Sequence, residues 1–301
     1  MEKVLLILAA GMGTRYGGLK QIEKVGPNGE TILEYSIFDA LSAGFNKVIF
    51  VIRHRMKHSF QYAVIDRISN VISCDTVFQE SDDLPNGIQV KEVREKPWGT
   101  GHAVWAARHI IKTPFAVINA DDFYGRAAYH QINQFTKKGM SHQFCLIAYP
   151  LGRTLSKSGS VSRGICQCND ENLESITEYT KVTYTDDGEL KDLTTGKILE
   201  NNCLTSMNCW GLQPEIFSFI EKDFGEFLSK HGHNKKEEYY LPALIHRWTQ
   251  KEEENVVKVL PTKGHWMGIT YLEDRIIMKN ELANRVRSKE YPSPLFKNPI
   301  S

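Results

Sequence analysis

The stretch Val4 to Gln21, VLLILAAGMGTRYGGLKQ, decides the fold predicted for this chain. Its first five residues are all apolar, which is typical of a β-strand that is covered on both faces. In the loop that follows, Gly11 and Gly13 permit positive φ angles and let main-chain N–H groups approach an anion. Arg15 and Lys20 add two positive charges to the same loop. A strand that ends in backbone donors and two cations predicts a polyphosphate cradle.

Spacing separates this loop from two better-known phosphate loops. The dinucleotide motif would need its third glycine at Tyr16, but the sequence has that glycine at Gly17. The Walker loop needs Gly-Lys followed by Ser or Thr, and this triplet does not occur in the sequence. The loop therefore indicates another kind of phosphate site. The alternative is a tight glycine-rich turn that binds no ligand.

Composition sets broad limits on function. The chain has 301 residues, of which 41% are apolar and 24% charged, as is ordinary for a globular protein of one large or two small domains. The net charge of +1 gives no reason to expect nucleic acid or an anionic membrane as a partner. The sequence contains no apolar run of transmembrane length. The apolar start is interpreted as a strand rather than a signal peptide, because the run is brief and the loop follows it directly.

The six cysteines are scattered along the chain, and none of them forms a Cys-x-x-Cys motif. Cys166 and Cys168 share one face of a predicted strand, where they cannot easily form a disulfide. We interpret all six as reduced, apolar residues and expect a cytoplasmic protein.

A helix and a second strand follow the first loop. Thr31 and Glu34 have the spacing of a capping box, and apolar residues at helical spacing continue to Leu41. Residues 47–52 form a second buried strand. This order predicts an α/β fold with three layers, α/β/α, around a mixed but mostly parallel sheet.

Two carboxylates follow a later apolar strand, residues 115–119. Asp121 and Asp122 would lie at the carboxyl end of that strand, where α/β sheets bind ligands. Paired aspartates there suit Mg²⁺, which takes one or two carboxylates together with substrate phosphate oxygens. The alternative is that they cap the next helix.

A loop rich in helix breakers runs from Arg94 to Gly101. Gly99 and Gly101 leave the backbone bare, so that a flat ring can lie against it. A helix resumes at His102, which we interpret as a helix-start residue rather than a catalyst.

The segment LAAGMGTR, followed by Leu19 and Lys20, resembles the signature of the sugar nucleotidyltransferases, the pyrophosphorylases that make nucleotide sugars. The family pattern is L-A-A-G-x-G-[ST]-R, a short gap and then Pro-Lys, so Leu19 stands where the family has proline. The resemblance implies a Rossmann-like nucleotidyltransferase (GT-A-like) fold. It also implies nucleotide binding by Ala10, Gly11, Gly13 and Thr14, and catalytic roles for Arg15 and Lys20.

The residues GTGHA that begin at Gly99 resemble the base-binding loop of the same family, particularly that of the acetylglucosamine-1-phosphate uridylyltransferases. The resemblance implies that Gly99 and Thr100 meet the base. Five residues before the first glycine, the family has a base-reading Gln or Glu, and this sequence has Arg94. Arginine donates hydrogen bonds and accepts none, so the base stays open. Glu95 would take over if the loop were shifted by one residue.

The family also has metal ligands with counterparts in this sequence. Ala120-Asp121 resembles the Gly-Asp pair whose aspartate holds the metal, which implies that Asp121 binds Mg²⁺ and leaves Asp122 as a helper. The family's second metal ligand is an aspartate in a late W-x-D motif, where alignment on the Glu-Asp pair that follows puts Gly268. The sequence alone does not show what replaces it.

Three residues of the second half resemble the acceptor site of the family. Gly164 resembles a glycine near the sugar, and Glu178 the glutamate that binds sugar hydroxyls. Asn208 resembles an asparagine before the family's late strand, although a buried structural asparagine fits equally well. The family often has a phosphate-binding lysine directly after the glutamate, where this sequence has Tyr179, with Lys181 two residues further on.

We therefore expect a single nucleotidyltransferase domain over residues 1–286, with a nucleotide-binding half (1–150), an acceptor-binding half (151–270) and a C-terminal tail (287–301). The expected reaction transfers a nucleoside monophosphate from a nucleoside triphosphate to a phosphorylated small molecule, a sugar 1-phosphate by resemblance, with Mg²⁺ as cofactor and release of pyrophosphate. One alternative is a cytidylyltransferase for a small phospho-alcohol such as phosphocholine. Another is a non-catalytic nucleotide-binding regulatory protein. The oligomeric state is open.

Overall fold

A computed structural model of the chain describes residues 2–11, 24–90 and 94–296. The strands of its large sheet are β1 (Val4–Leu8), β2 (Lys47–Ile52), β3 (Ser73–Phe78), β4 (Phe115–Asn119), β6 (Gln143–Pro150), β7 (Val161–Asn169), β8 (Asn172–Tyr184), β9 (Leu190–Asp192), β10 (Leu204–Leu212) and β11 (Val256–Pro261). Two short strands, β5 (Asp122–Phe123) and β12 (Met267–Gly268), pair with each other outside this sheet.

The helices surround the sheet. They are α1 (Ile32–Ser42), α2 (Lys57–Phe60), α3 (Asp66–Ile68), α4 (Thr100–Trp105), α5 (Arg126–Thr136), α6 (Ile216–His231), α7 (Leu241–Thr249) and α8 (Leu272–Arg287). Short 3₁₀ turns cover His54–Met56 and Leu151–Arg153, and a π-helical turn, Gln61–Ile65, joins α2 to α3. The predicted capping box at the start of α1 is present, since Thr31 accepts from the Glu34 amide and Glu34 from the Thr31 amide.

The sheet is mixed, as predicted. Strands β3, β2, β1 and β4 lie side by side in that order and are all parallel. β10 is antiparallel to both β4 and β6, and β11 runs parallel to β6. The β7–β8 hairpin completes the path, with β9 paired to β8. The carboxyl ends of β1 and β4 therefore open onto the same edge, which is where α/β sheets bind ligands.

Two apolar clusters on opposite faces of the sheet confirm the three-layer prediction. One cluster joins β1, β4 and β6 to residues of α4, α6 and α7. The other joins the opposite faces of the same strands to residues of α1 and α5 and of the helical stretch 54–68. The five apolar residues of β1 alternate between the two clusters, which explains why they are continuous rather than alternating with polar residues.

The segment after α8 packs against the domain as far as Phe296. Tyr291 and Leu295 are buried in a third cluster with Val25, Tyr35 and Met278. The burial of Tyr291 and Leu295 means that the first part of the predicted tail contributes to the core.

The cysteines and the helices were each the subject of a prediction from the sequence. All six cysteines are free thiols, in agreement with the reduced state that we predicted. Among the helices of the described residues, none is long and apolar enough to cross a membrane.

Candidate nucleotide and acceptor site

The predicted phosphate loop begins at the edge where β1 and β4 end. Ala10 is buried there, and the Ala120 amide donates to the Leu8 carbonyl over 3.2 Å, which holds the two strand ends together. Gly11 is exposed at the start of the loop. Four predicted site residues, Gly13, Thr14, Arg15 and Lys20, lie outside the described residues. Their predicted roles stay predictions.

Both aspartates lie at this edge, as the sequence predicted. Asp121 comes two residues after the end of β4 and is half-buried, and Asp122 begins β5. Asn119, the last residue of β4, donates from Nδ2 to Asp122 Oδ2 over 2.9 Å. The Tyr124 hydroxyl lies 3.2 Å from the same oxygen. The carboxylate of Asp122 is thus held in a fixed orientation.

Asn208 comes to the same edge through an irregularity in β10. The pairing register with β6 shifts between Ser206 and Trp210, and Asn208 lies in this bulge with a φ of +59°. Its Nδ2 donates to Asn119 Oδ1 over 2.7 Å, and its Oδ1 accepts from Trp210 Nε1 over 2.9 Å. Trp210, Asn208, Asn119 and Asp122 therefore form one hydrogen-bonded chain. In this chain the Asn208 side chain orients other site residues, and an acceptor role for it stays a prediction.

Gly268 lies directly opposite Asp122 in the β5–β12 pair. A Cβ added at Gly268 would stand 2.5 Å from the Trp266 ring and 3.0 Å from Asp122 Oδ1. A side chain at this position would therefore displace the ring, while the carboxylate that faces the position already belongs to Asp122. This geometry supplies a physical reason for the glycine that the sequence left unexplained.

The donors at this edge fit Mg²⁺. Asp121 and Asp122 offer carboxylate oxygens, and Mg²⁺ binds in proteins through one or two carboxylates while it keeps water and substrate phosphate oxygens as its other ligands. Over the described ranges, no three His, Cys, Asp or Glu side chains are grouped as in an all-protein metal cage. A Mg²⁺ ion bound here would take most of its ligands from phosphate and water.

The predicted base loop packs against Tyr239 rather than standing free. Gly99 has a φ of +109°, and a Cβ added to it would lie 2.9 Å from the Tyr239 carbonyl oxygen. A Cβ on Gly101 would lie 2.7 Å from the Tyr239 ring. The Thr100 hydroxyl accepts from the Leu241 amide over 2.9 Å at the start of α7. The ring that lies against the bare backbone of Gly101 is thus one of the protein's own.

His102 anchors this loop to the segment after β3. The ring is fully buried, its Nε2 lies 3.0 Å from the Asp83 carbonyl oxygen, and its Nδ1 lies 3.3 Å from Gln79 Nε2. Because a carbonyl can only accept, Nε2 carries the proton and Nδ1 accepts from Gln79. Gln79 also donates to the Gly99 carbonyl over 2.8 Å. Burial lowers the pKa of His102 to about 4, so the ring is neutral and structural, in line with its interpretation as a helix-start residue.

Arg94 is buried, and several groups of the protein engage its guanidinium. Nε donates to the Lys96 carbonyl over 2.9 Å, Nη1 donates to the Asn234 carbonyl over 3.2 Å, and the group lies 4.3 Å from the centre of the Trp98 ring. In this arrangement Arg94 shapes the loop that carries Gly99. Whether it also reads a base stays a prediction.

Gly164 and Glu178 come together as a cross-strand pair of β7 and β8. A Cβ on Gly164 would lie 3.1 Å from Glu178 Oε2, so the glycine leaves room for this carboxylate. Glu178 is exposed, and partial desolvation raises its pKa while Arg163 opposes the shift. No described residue makes a hydrogen bond to the Glu178 side chain, which leaves its oxygens available to hydroxyl groups of a ligand.

Three residues of this region were missed by the sequence analysis. Asn119 carries the hydrogen bonds between Asn208 and Asp122, and its position one residue before Ala120-Asp121 is the signal that would have found it. Gln79 and Tyr239 shape the base loop from distant parts of the chain, and only the three-dimensional contacts identify them.

The chain is similar to known nucleotidyltransferases. Residues 5–85 match the model of the MobA-like NTP transferase domain. The chain is 28% identical over 158 residues to UTP–glucose-1-phosphate uridylyltransferase 1 of Staphylococcus saprophyticus, covering 46% of this chain and 53% of that protein. It is 30% identical over 133 residues to UTP–glucose-1-phosphate uridylyltransferase of Bacillus subtilis, covering 40% and 46%. These matches support the resemblance of the chain to the sugar nucleotidyltransferases. The matched stretch spans about half the length of these curated relatives.

Solved structures show the fold over almost the whole chain. A UDP-glucose pyrophosphorylase complexed with UDP-glucose aligns with a TM-score of 0.63 at 17% identity, covering 95% of this chain and 100% of that one. The inositol-1-phosphate CTP transferase from T. maritima aligns with a TM-score of 0.61 at 13% identity, covering 95% and 96%. At these identities the likeness concerns the fold, and it confirms the predicted nucleotidyltransferase architecture.

Proposed function

We propose that this protein transfers a nucleoside monophosphate from a nucleoside triphosphate to the phosphate group of a small acceptor, with release of pyrophosphate. The observation that carries the proposal is the edge where β1 and β4 end. It brings the start of the signature loop together with Asp121 and Asp122. This is where a nucleotidyltransferase needs its phosphates and its metal.

The two halves of the chain would take the two substrates. The loop from Ala10 and the segment at Gly99 lie in the half assigned to the nucleotide, and the Gly164–Glu178 pair lies in the half assigned to the acceptor. We propose a sugar 1-phosphate as acceptor, because two curated relatives are glucose-1-phosphate uridylyltransferases and because Glu178 is open to hydroxyl groups.

Each site residue has a separate task in this reaction. Arg15 holds the leaving pyrophosphate, and Lys20 neutralises the α-phosphate and the attacking oxygens. Asp121, with Asp122 beside it, holds Mg²⁺, which would neutralise charge on the donor and acceptor phosphates. The acceptor phosphate attacks the α-phosphorus without a general base, because a phosphate monoester is already anionic near neutral pH. Positioning and charge neutralisation therefore supply the catalysis.

The proposal is tested by pyrophosphate release. The purified protein is incubated with Mg²⁺ and each common nucleoside triphosphate, crossed with a panel of sugar 1-phosphates, inositol 1-phosphate and phosphocholine. Pyrophosphate release that needs one triphosphate and one acceptor together supports the proposal. Release with phosphocholine alone would favour the cytidylyltransferase, and nucleotide binding without release across the panel would favour a regulatory protein.

Variants test the assigned residues in the same assay. Arg15→Ala and Lys20→Ala should each lower kcat by about 10²-fold or more, the effect of removing one preorganised charge from a transition state. Lys137→Ala, at the exposed end of α5, is the control and should leave kcat unchanged. If both loop variants kept full activity, the catalytic assignment would be wrong.

A further inference from the structure

Tyr240 presents an exposed aromatic ring at the start of α7. Its side chain is 53% exposed, whereas the ring of the preceding Tyr239 is buried against Gly101. Tyr240 directly precedes α7 in an extended conformation, with a φ of −78° and a ψ of 138°. A single exposed ring is ordinary on a protein surface, so the surroundings of Tyr240 decide what the ring can do.

The backbone of Tyr240 is fixed to the base loop on both sides. The Gly101 amide donates to the Tyr239 carbonyl over 2.8 Å, and the Leu241 amide donates to the Thr100 hydroxyl over 2.9 Å. These two hydrogen bonds hold the residues before and after Tyr240 in place. The ring therefore projects from a backbone that needs no rearrangement to receive a ligand.

The same end of α7 lies over the face of β8 that carries Glu178. Helix α7 packs against β8, and Leu241 belongs to the apolar cluster against which Ile176 packs. Ile176 and Glu178 are two residues apart on the strand, so their side chains share one face. A Cβ added at Gly164 would lie 2.8 Å from Ile176 and 3.1 Å from Glu178, as expected for one shared face. Tyr240, next to Leu241, thus borders the Gly164–Glu178 pair.

The electrostatics of the Tyr240 hydroxyl agree with this position. Partial burial raises its pKa, and the carboxylates of Glu238 and Glu178 raise the pKa further. Charges act on each other over short distances in salt solution, so an effect of Glu178 on this hydroxyl places the two side chains in one cleft.

A carboxylate and a flat ring together suit one class of ligand. Glu178 accepts hydrogen bonds from hydroxyl groups, and the face of an aromatic ring packs against apolar atoms. A pyranose or cyclitol ring carries hydroxyl groups on its rim and C–H groups on its faces, so it satisfies both side chains. A quaternary ammonium also packs on an aromatic face, but it has no hydrogen to donate to Glu178.

We propose that Tyr240 determines acceptor specificity, because its ring packs on the face of the acceptor and selects a phosphate monoester of a hexopyranose or a cyclitol over an open-chain phospho-alcohol. The inference rests on the proposed function, since it assigns the acceptor to the cleft of Glu178. The family motifs described above do not include Tyr240.

The test is acceptor binding without turnover. Glucose 1-phosphate, galactose 1-phosphate, inositol 1-phosphate and phosphocholine are titrated by calorimetry, alone and then with Mg²⁺ and the α,β-methylene analogue of each nucleoside triphosphate, in which the bond that transfer would break is blocked. We expect at least one ring phosphate to bind about tenfold more tightly than phosphocholine. Tyr240→Ala should weaken that affinity by about tenfold or more, and Tyr240→Phe, which keeps the ring, should stay within about twofold.

Two controls separate a contact with the acceptor from a change in the base loop. Tyr184→Ala removes a ring of similar exposure, 47%, six residues beyond Glu178 on β8, and it should leave acceptor affinity unchanged. The affinity for the nucleotide analogue should be the same in every variant. With an active substrate pair, Tyr240→Ala should raise the KM of the acceptor and leave the KM of the triphosphate unchanged.

The outcomes separate this inference from the proposed function. Unchanged acceptor affinity in Tyr240→Ala overturns the role of the ring, and so does an equal loss in Tyr240→Phe, because the hydroxyl would then be the binding group. A parallel loss of nucleotide affinity would mean that Tyr240 only supports the base loop. Phosphocholine that binds more tightly than every ring phosphate, or no binding of any ring phosphate, overturns the acceptor class. Ring-phosphate binding that depends on Tyr240, in a protein that releases no pyrophosphate with any substrate pair, supports the inference and overturns only the proposed function.

Discussion

Gly101 lies too close to Tyr239 for any other residue type to fit without a shift. An added Cβ would stand 2.7 Å from the ring and 2.9 Å from the carbonyl oxygen. Gly101→Ala should therefore lower the free energy of unfolding by about 1–3 kcal/mol, the usual cost of an overpacked site. Urea unfolding of the variant and of the unaltered protein measures this change in the free energy of unfolding.

Gly225→Ala supplies the matched control for that substitution. Gly225 lies inside α6, and outside the backbone of its own helix the only described atom that its added Cβ would meet is in the Ile88 side chain, at 3.9 Å. Alanine there should raise the free energy of unfolding by about 0.5–1 kcal/mol, since glycine is a poor helix former. A loss of stability at Gly225 equal to that at Gly101 would show that the contacts with Tyr239 are not the cause.

Asp121 is predicted to hold Mg²⁺ directly. Asp121→Asn keeps the shape of the side chain and removes the charge, so the Mg²⁺ concentration for half-maximal activity should rise by at least about tenfold. Mn²⁺ binding followed by electron paramagnetic resonance gives the same affinity without turnover. Asp170→Asn is the control, because Asp170 is exposed in the β7–β8 turn at a φ of +52° that asparagine also adopts. Equal metal affinity in both variants would refute the assignment.

At the scale of elements, α4 is tied to the end of β3 through a buried neutral histidine. The pKa of His102 is about 4 in the folded protein, below its ordinary 6.5, because burial disfavours the charged ring. A depressed pKa means that the unfolded chain takes up the proton first as the pH falls. This contribution to stability is therefore full above pH 6.5 and is lost as the pH falls to about 4.

His102→Gln removes that contribution. Between pH 7 and pH 4 the unaltered protein should lose about 3 kcal/mol more unfolding free energy than the variant, the linkage equivalent of the shift. Glutamine can still donate to the Asp83 carbonyl, so the variant should fold. Urea unfolding at several pH values measures both slopes. If the free energy of unfolding changed with pH by the same slope in both proteins, the neutral, buried state of His102 would be contradicted.

How far the sequence predicted these elements depends on the range of the interaction. The buried strand β1, the capping box of α1 and the aspartates after β4 are local patterns, and all were found where they were expected. The contacts of Gly99 and Gly101 with Tyr239 join segments about 140 residues apart, and no local pattern records them. The cross-strand pairing of Arg163 with Tyr179 likewise needed the register of β7 and β8.

At the scale of the whole molecule, the C-terminal segment is anchored to the amino-terminal half. The Tyr291 hydroxyl donates to Asp39 Oδ2 over 2.8 Å, and Asp39 is completely buried on α1. Desolvation raises the pKa of Asp39 to about 6, while Tyr291 and Arg126 oppose the shift. Because the folded pKa lies above the ordinary value of 3.8, the contribution of Asp39 to stability is full below pH 3.8 and is lost as the pH rises through about 6.

Tyr291→Phe should make that loss larger. The carboxylate would keep its burial and lose a donor, so the variant should be about 1–3 kcal/mol less stable at pH 7 and closer to the unaltered protein at pH 4. Tyr62→Phe is the control, because Tyr62 is 82% exposed. Thermal or urea unfolding at the two pH values measures the difference. If Tyr291→Phe lost the same stability at pH 7 and at pH 4, the hydrogen bond to Asp39 would not be the source of the loss.

The fold joins two halves that differ in the direction of their strands. The parallel strands β3, β2, β1 and β4 present their carboxyl ends to the proposed nucleotide site, and the antiparallel β7–β8 hairpin carries the Gly164–Glu178 pair of the proposed acceptor site. The bulge at Asn208 lies where the two halves meet and hydrogen-bonds to Asn119. The proposed reaction needs this junction, since a donor on one half must meet an acceptor on the other.

The most direct measurement is the identity of the nucleotide product in water enriched in ¹⁸O. With the active substrate pair and Mg²⁺, mass spectrometry should show the nucleoside monophosphate joined to the acceptor phosphate, unlabelled pyrophosphate in equal amount, and no solvent oxygen in the new product. A free nucleoside monophosphate that carries one ¹⁸O, or an unlabelled nucleoside diphosphate together with inorganic phosphate that carries one ¹⁸O, would mean that water, not a bound phosphate, attacks the triphosphate. That result would contradict transfer between the two halves of the site.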